Sequence, residues 1–217
     1  MKRKLITLFL LVAIATSVSA QTSFDKITIG IKGGLNISKI NSNSPSVEQK
    51  PMSSLLEGIF VSIPLNKNFS FQPELNYARV GGKYNLKVTN LSNLDWGAAY
   101  ARFGDELFEI DLNYIDLPLI FKYKVSKSHL SLLAGPQVSY LLAAKAIVSK
   151  ENHDIKNELN QYDFRGVFGA EYNLPKGFVI SARYQLGLYI IPNNADANEE
   201  FKNNALSFTL GYTLGSK

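Results

Sequence analysis

Few side chains in this sequence could carry out acid–base or nucleophilic chemistry. The chain has two histidines, His129 and His153, and no cysteine. Catalysis of this kind needs a base within hydrogen-bonding reach of a nucleophile or a water molecule. His129 directly follows a predicted tight turn, where a solvated histidine is the favoured interpretation. His153 precedes Asp154 in a polar loop, and two adjacent loop residues without a third group do not form a catalytic dyad.

Other reactive motifs are also missing from the sequence. No metal-ligand spacing, serine elbow or glycine-rich phosphate loop follows a suitable strand. Five glycines could cradle an anion, but bulges and curvature of a sheet explain them better. These glycines are Gly30, Gly33, Gly34, Gly81 and Gly82. We therefore predict no catalytic residue, no metal and no cofactor. An enzyme is the least favoured class of function, and His153 with Asp154 is its candidate pair.

One aromatic group has the character of a contact surface. Trp96, the only tryptophan, lies with Tyr100 and Phe103 in a long connection spanning about 89–107. Long loops often carry binding residues, so these rings could bind a protein or a glycan. Packing of the loop over the rest of the domain is the competing interpretation.

The N-terminus has the pattern of a secretory signal peptide. Lys2, Arg3 and Lys4 precede an apolar run over 5–15, and Ala20 supplies a small residue before Gln21. The run is too short to cross a bilayer as a helix, although an uncleaved anchor is the alternative. We predict cleavage near Ala20/Gln21, with residues 1–20 as the signal peptide and residues 21–217 as one domain.

The charge balance argues against nucleic acid as a partner. The whole chain carries 23 basic and 18 acidic residues, a net charge of +5. Loss of the three basic residues of the signal peptide leaves a net charge of about +2. No cluster of Lys and Arg then remains to follow a phosphate backbone.

Strict alternation of residue character predicts β-strands. Between Tyr162 and Ile190, aromatic and aliphatic residues alternate with polar and charged ones, interrupted by Pro175–Lys176–Gly177. Because successive side chains of a strand point to opposite faces, this segment is predicted to be a hairpin with one apolar and one polar face. Similar segments predict eight strands, at about 27–38, 53–65, 69–88, 108–125, 129–148, 162–174, 178–190 and 206–214. The face assignment of the second strand is ambiguous, because Leu55 and Ile59 compete with Leu56 and Phe60.

The connections between these strands alternate between long polar loops and tight turns. An even strand number with all long loops at one end is typical of an outer-membrane barrel. The predicted fold is therefore all-β, an eight-stranded antiparallel up-and-down transmembrane β-barrel. A soluble lipocalin-like barrel has the same strand number but places its apolar face inside. The rings of this chain have too much volume for so narrow an interior, so we expect them to face lipid.

The polar face then lines the barrel. Charges inside a narrow lumen must be paired, and equal numbers of each sign predict a network that fills it. The predicted lumen charges are Lys32, Glu57, Glu74, Asp116, Lys122, Lys124, Asp163, Arg165, Glu171 and Arg183. Structural plugging is favoured over an ion or solute path.

Five segments resemble a known family of small outer-membrane barrels. They are IGIKGGLN, FSFQPELNY, YIDLPLIFKY, AGPQVSYLL and ALSFTLGYTLG, in that order from Ile29 to the C-terminal strand. The chain thereby resembles the PorT-type, or porin-family, β-barrel proteins of Bacteroidota. The resemblance implies an outer-membrane barrel delivered by the secretion and barrel-assembly machineries. It implies no single activity, because fold alone does not fix function.

Three function classes follow from these expectations. The first is a non-enzymatic, monomeric envelope protein with a filled lumen, embedded in outer-membrane lipid, in a structural, adhesive or accessory role. The second is a small pore or solute-binding barrel. The third is an outer-membrane enzyme. An unidentified protein or glycan partner is expected at the outer loops.

Overall fold

The computed structural model describes residues 27–41, 47–86, 107–148, 151–188 and 202–214. These form nine strands: β1 (Thr28–Asn41), β2 (Val47–Pro64), β3 (Phe69–Leu86), β4 (Leu107–Lys124), β5 (Leu130–Val148), β6 (Glu151–Asp154), β7 (Tyr162–Asn173), β8 (Phe178–Gly187) and β9 (Lys202–Leu214). Two single-turn 3-10 segments, Lys156–Glu158 and Pro175–Gly177, lie between them. None of the described residues forms a helix long and apolar enough to cross a membrane.

The sheet closes on itself as an antiparallel barrel of eight strands. Neighbours follow chain order from β1 to β5 and from β7 to β9, β9 pairs with β1, and β5 pairs with both β4 and β7. β6 is an additional short strand that pairs with the last four residues of β5. The predicted eight-stranded up-and-down barrel is confirmed, and β6 lies in a segment that the sequence had indicated to be a plain polar loop.

The register fixes how the strands tilt. Starting from Tyr162 on β7, a single row of paired residues passes around the whole barrel and returns to β7 ten residues further on, at Tyr172. In order, the row is Tyr162, Tyr140, Ile115, Tyr77, Glu57, Gly33, Leu210, Ile180 and Tyr172. For eight strands, a stagger of ten residues corresponds to a tilt of about 40°.

The apolar side chains form a belt on the outside of the barrel. Phe168 is 53% exposed, Ile31 53% and Leu210 54%, whereas their neighbours along each strand point inward. Tyr162 and Tyr172 mark the two borders on β7, and at this tilt ten residues rise about 25 Å along the barrel axis. A belt of this height matches the hydrocarbon layer of an outer membrane.

The short connections have the local chemistry of tight turns. Asn66 Oδ1 accepts hydrogen bonds from the backbone N–H groups of Asn68 and Phe69, both at 2.9 Å. Between β7 and β8 the chain reverses through Lys176 and Gly177, at φ 65° and 82°. Since left-handed φ values favour glycine, Gly177 suits this reversal.

Candidate functional site: the lumen and the outer wall

A five-residue ion-pair cluster, the lower charge cluster, lies in the half of the lumen nearest the short turns. Its members are Lys32, Glu74, Lys122, Glu171 and Arg183. Glu74 is paired with Lys32 and, at 2.8 Å, with Arg183 Nη1. Arg183 Nη2 also lies 3.7 Å from Glu171, which is paired with Lys122. The cluster thereby joins five different strands through charge-assisted bonds.

A second group of charges lies further up the lumen. Arg165 donates from Nε to Asp163 Oδ2 at 2.7 Å and from Nη1 to Gln185 Oε1 at 3.1 Å. Its guanidinium also stands 5.1 Å from the ring centroid of Tyr114, a cation–π distance. Asp116 is fully buried in the same region. With the lower charge cluster, this gives four positive and four negative side chains inside the barrel.

Apolar side chains also fill part of the lumen nearest the long loops. Buried side chains pack there into one group, the apolar cap: Ile40, Val80, Leu112, Tyr114, Leu141, Ala144 and Leu159. Leu159 comes from the segment between β6 and β7, so this connection folds into the mouth of the barrel. Ile155 from the same segment packs against the cap. The sequence analysis did not predict this feature. Leu112, Leu141 and Val80 face inward but are uncharged, so no charge marked them as residues of the lumen.

A small recess lies among the described residues near the short-turn end. It is lined by Lys32, Phe60, Glu171, Ser181 and Arg183, among others. Phe60 fills the space over Gly30, where an added Cβ would lie 2.2 Å from the ring. Gly30 therefore serves packing, because the space beside it is occupied by the Phe60 ring.

The structure places eight of the ten predicted lumen charges inside the barrel. Two are elsewhere. Lys124 is exposed at the end of β4, next to the turn. The assignment of Glu57 to the lumen is wrong: it shares the outward face of β2 with Leu55 and Ile59, which are 71% and 51% exposed. Leu56 and Phe60 face inward, so strict alternation forces the carboxyl of Glu57 outward.

The sequence analysis did not predict two ion pairs that lie on the outer wall of the barrel. Arg79 donates from Nε to Asp111 Oδ1 at 2.7 Å, and its Nη2 lies 2.6 Å from Oδ2. Lys83 Nζ lies 3.2 Å from Glu109 Oε2, four residues further along β3 and two residues earlier on β4. Both pairs sit beyond Tyr77, towards the long-loop end. The signal was available, because the outward parity of β3 changes from apolar to basic after Tyr77.

Among the described residues, the candidate catalytic histidine has no partner that activates it. His153 Nε2 is 4.0 Å from Glu151 in exposed β6, and Asp154 Oδ1 instead accepts the backbone N–H of Lys156 at 2.9 Å. His129 contacts the ring of Tyr172 edge-on, with centroids 6.0 Å apart. Within the described ranges, no three His, Asp or Glu side chains converge as metal ligands. Trp96, Tyr100 and Phe103 lie outside the described residues.

Comparison with known proteins assigns the chain to a family. A family model described as "Outer membrane protein beta-barrel domain" matches residues 19–191, well over half of the chain. The chain belongs to this family. Membership in the outer membrane protein β-barrel family accords with the apolar belt and places the protein in the outer membrane. A search of curated protein sequences finds no match.

Solved structures share the barrel fold. The chain resembles Neisserial surface protein A at 10% identity and a TM-score of 0.52, covering 88% of this chain and 100% of that one. It also resembles Ail, the attachment invasion locus protein of Yersinia pestis, at 14% identity and a TM-score of 0.50, with the same coverage. At such low identities the likeness shows the fold alone.

Proposed function

We propose that this family member is a non-enzymatic outer-membrane barrel with a closed lumen, which serves the envelope in a structural, adhesive or accessory role through its outer end. The proposal rests on one observation: the side chain of Leu159 packs inside the barrel as part of the apolar cap. A loop residue at 7% exposure blocks the mouth from within. A barrel built to conduct would keep this opening polar and hydrated.

The layers below the cap support the same proposal. An ion crossing the lumen would have to separate Arg183 from Glu74, a pair of buried charges that meet across the barrel. Separating such a pair leaves two uncompensated charges and costs several kcal/mol. The small pore or solute-binding barrel, our alternative from the sequence, would need a passage that neither layer offers along the described strands.

A non-enzymatic role is supported by the chemistry of the histidines. His153 sits in exposed β6, and its neighbour Asp154 accepts a backbone hydrogen bond from Lys156 instead of orienting the imidazole. A general base that activates a nucleophile needs an orienting group of this kind.

The outer end offers polar groups for contact. Arg79 projects from the wall of β3 at the upper edge of the apolar belt and Lys83 projects above it, each paired with a carboxylate of β4. We propose that this wall and the loop containing Trp96, Tyr100 and Phe103 meet a protein or glycan partner. The PorT-type resemblance to Bacteroidota proteins favours the accessory branch of the proposal. Biogenesis then follows cleavage near Ala20/Gln21 and insertion by the barrel-assembly machinery.

Conductance in planar bilayers tests the closed lumen. The purified full-length protein should produce no discrete channel currents. A variant with Leu112→Gly, Leu141→Gly and Leu159→Gly removes three of the seven side chains of the apolar cap. It should produce measurable leak, which shows that the assay detects an opened barrel. Steady single-channel currents from the unmodified protein would overturn the proposal in favour of a pore.

A crosslinking experiment tests the outer-end partner. A photoactivatable amino acid replaces Trp96 in intact cells, and the same amino acid replaces Phe168 on the lipid face as a control. Specific adducts at position 96 that are absent at position 168 support the interactive outer end. Equal adduct patterns at both positions would contradict it.

A further inference from the structure

Glu57 is an ionisable side chain on the lipid face of the barrel. Its neighbours on the same face of β2, Leu55 and Ile59, are among the most exposed apolar residues described. Within the described part of the chain, no hydrogen bond or ion pair to its carboxyl is found. An ionisable group facing hydrocarbon is rare in membrane proteins and is a functional-site candidate by default.

The register places Glu57 at the middle of the membrane. It is the fifth of the nine residues in the row that descends from Tyr162 to Tyr172, four strand pairings from each end. Since each pairing lowers the row by the same amount, Glu57 lies about 12 Å from either aromatic border. It is also on β2, which stands opposite β7 in the eight-stranded ring.

The adjacent strands do not satisfy this carboxyl. Its pairing partner on one side is Gly33, and its partner on the other is Tyr77. The Tyr77 hydroxyl donates to Asn113 Oδ1 at 2.8 Å, away from β2. The guanidinium of Arg79 donates a hydrogen bond to Asp111, so it is already paired with a carboxylate other than that of Glu57. Acyl chains offer no hydrogen-bonding groups, so a partner that the described residues do not supply to Glu57 would come from another molecule.

The surface beside Glu57 is shaped for close approach. Gly33 is exposed, and a Cβ added to it would meet only the Leu56 carbonyl oxygen, at 3.9 Å. Flanked by Ile31 and Leu35, it leaves a notch in the apolar belt directly next to the carboxyl. Small residues at such positions allow the backbones of two membrane segments to come together.

We propose that a second copy of this chain docks on the β1–β2–β3 face, with the two Glu57 carboxyls hydrogen-bonded to each other. A two-fold axis along the membrane normal brings identical residues together at identical depth, so a carboxyl at mid-membrane meets its own copy. A carboxylic acid both donates and accepts, which makes the pair self-complementary when at least one proton is shared. A partner of any other kind would need its own polar donor at mid-membrane. The sequence favoured a monomer, and the outward position of Glu57 leads to this different assignment.

Cysteine crosslinking tests the assignment, because the chain has no native cysteine. Ile59→Cys places a single thiol beside Glu57 while the carboxyl is retained. Intact outer membranes are treated with a short bismaleimide, and the product is identified by mass. Phe168→Cys is the matched control, since Phe168 lies on β7 at nearly the same depth on the opposite side. Ile59→Cys should give the homodimer, and Phe168→Cys should not.

The carboxyl itself is tested by substitution. Ile59→Cys combined with Glu57→Leu should lower the dimer yield, whereas Glu57→Gln should retain most of it because an amide also donates and accepts. Intramembrane hydrogen bonds of about 0.6–1.7 kcal/mol correspond to association weakened about 3-fold to 18-fold. Heat-modifiable gel migration verifies that each variant is folded. Equal homodimer from Ile59→Cys and Phe168→Cys, an adduct of different mass, or an undiminished yield with Glu57→Leu would each overturn the proposal.

Discussion

The guanidinium of Arg183 meets the carboxylate of Glu74 at 2.8 Å across the full width of the barrel. The two residues are 109 positions apart in sequence, on β8 and β3, which stand opposite each other in the ring of eight strands. Lys32 adds a second cation to the same carboxylate. Glu74 therefore compensates two buried cations at the centre of the lower charge cluster.

Neutralising Glu74 should destabilise the barrel strongly. Glu74→Gln leaves Lys32 and Arg183 without their principal counter-charge, and breaking a buried pair costs about 3–5 kcal/mol. Urea unfolding in lipid vesicles, followed by tryptophan fluorescence or gel migration, measures the loss.

The matched control for this change is Glu109→Gln. Glu109 pairs with Lys83, whose side chain is 45% exposed, so its loss should cost less than about 1 kcal/mol. Similar costs for both substitutions would show that the lumen is hydrated and that burial does not govern the energy of the Glu74 pairs.

The seating of Leu159 should control access to the segment between β5 and β7. Leu159→Asp puts a charge into the apolar cap, which disfavours the docked position of the segment. Trypsin added to intact cells should then cleave at Lys156 faster than in the unmodified protein. Glu158→Gln, an exposed change one residue away, should leave the rate unaltered. Unchanged cleavage of Leu159→Asp would mean that other contacts hold the segment in the mouth.

Much of this architecture could be predicted from alternation alone. Tyr162 to Leu174 fixes the faces of β7 because every second residue is large and apolar. Glu57 was misplaced because β2 has apolar residues on both parities, with Leu55 and Ile59 competing with Leu56 and Phe60. The alternation signal cancels there, and only pairing with β1 and β3 resolves it. The apolar cap escaped prediction for a related reason, since Leu112 and Leu141 face inward where the pattern leads one to expect polar residues.

The fit of Phe60 over Gly30 should make this glycine intolerant of a side chain. Gly30→Ala would place a Cβ 2.2 Å from the Phe60 ring, and overpacking of this kind costs about 1–3 kcal/mol. Phe60→Leu in the same chain should restore most of the loss, because the shorter side chain leaves room. The free energy of unfolding in vesicles is the readout, arranged as a double-mutant cycle. Additive losses in the double variant would show that the ring does not pack on Gly30.

The depth of a side chain in the apolar belt should set the cost of a charge placed there. Phe168→Arg puts a cation on the lipid face of β7 near mid-membrane, where the cost in a transmembrane barrel is about 2–4 kcal/mol. Tyr162→Arg puts the same cation at the border, where it reaches the headgroups and costs about 0–1 kcal/mol. Reversible unfolding in vesicles of one lipid composition measures both. Equal costs at the two positions, together with a protein that stays folded and monodisperse without detergent, would mean that these rings face a partner or solvent and that the strands do not span a bilayer.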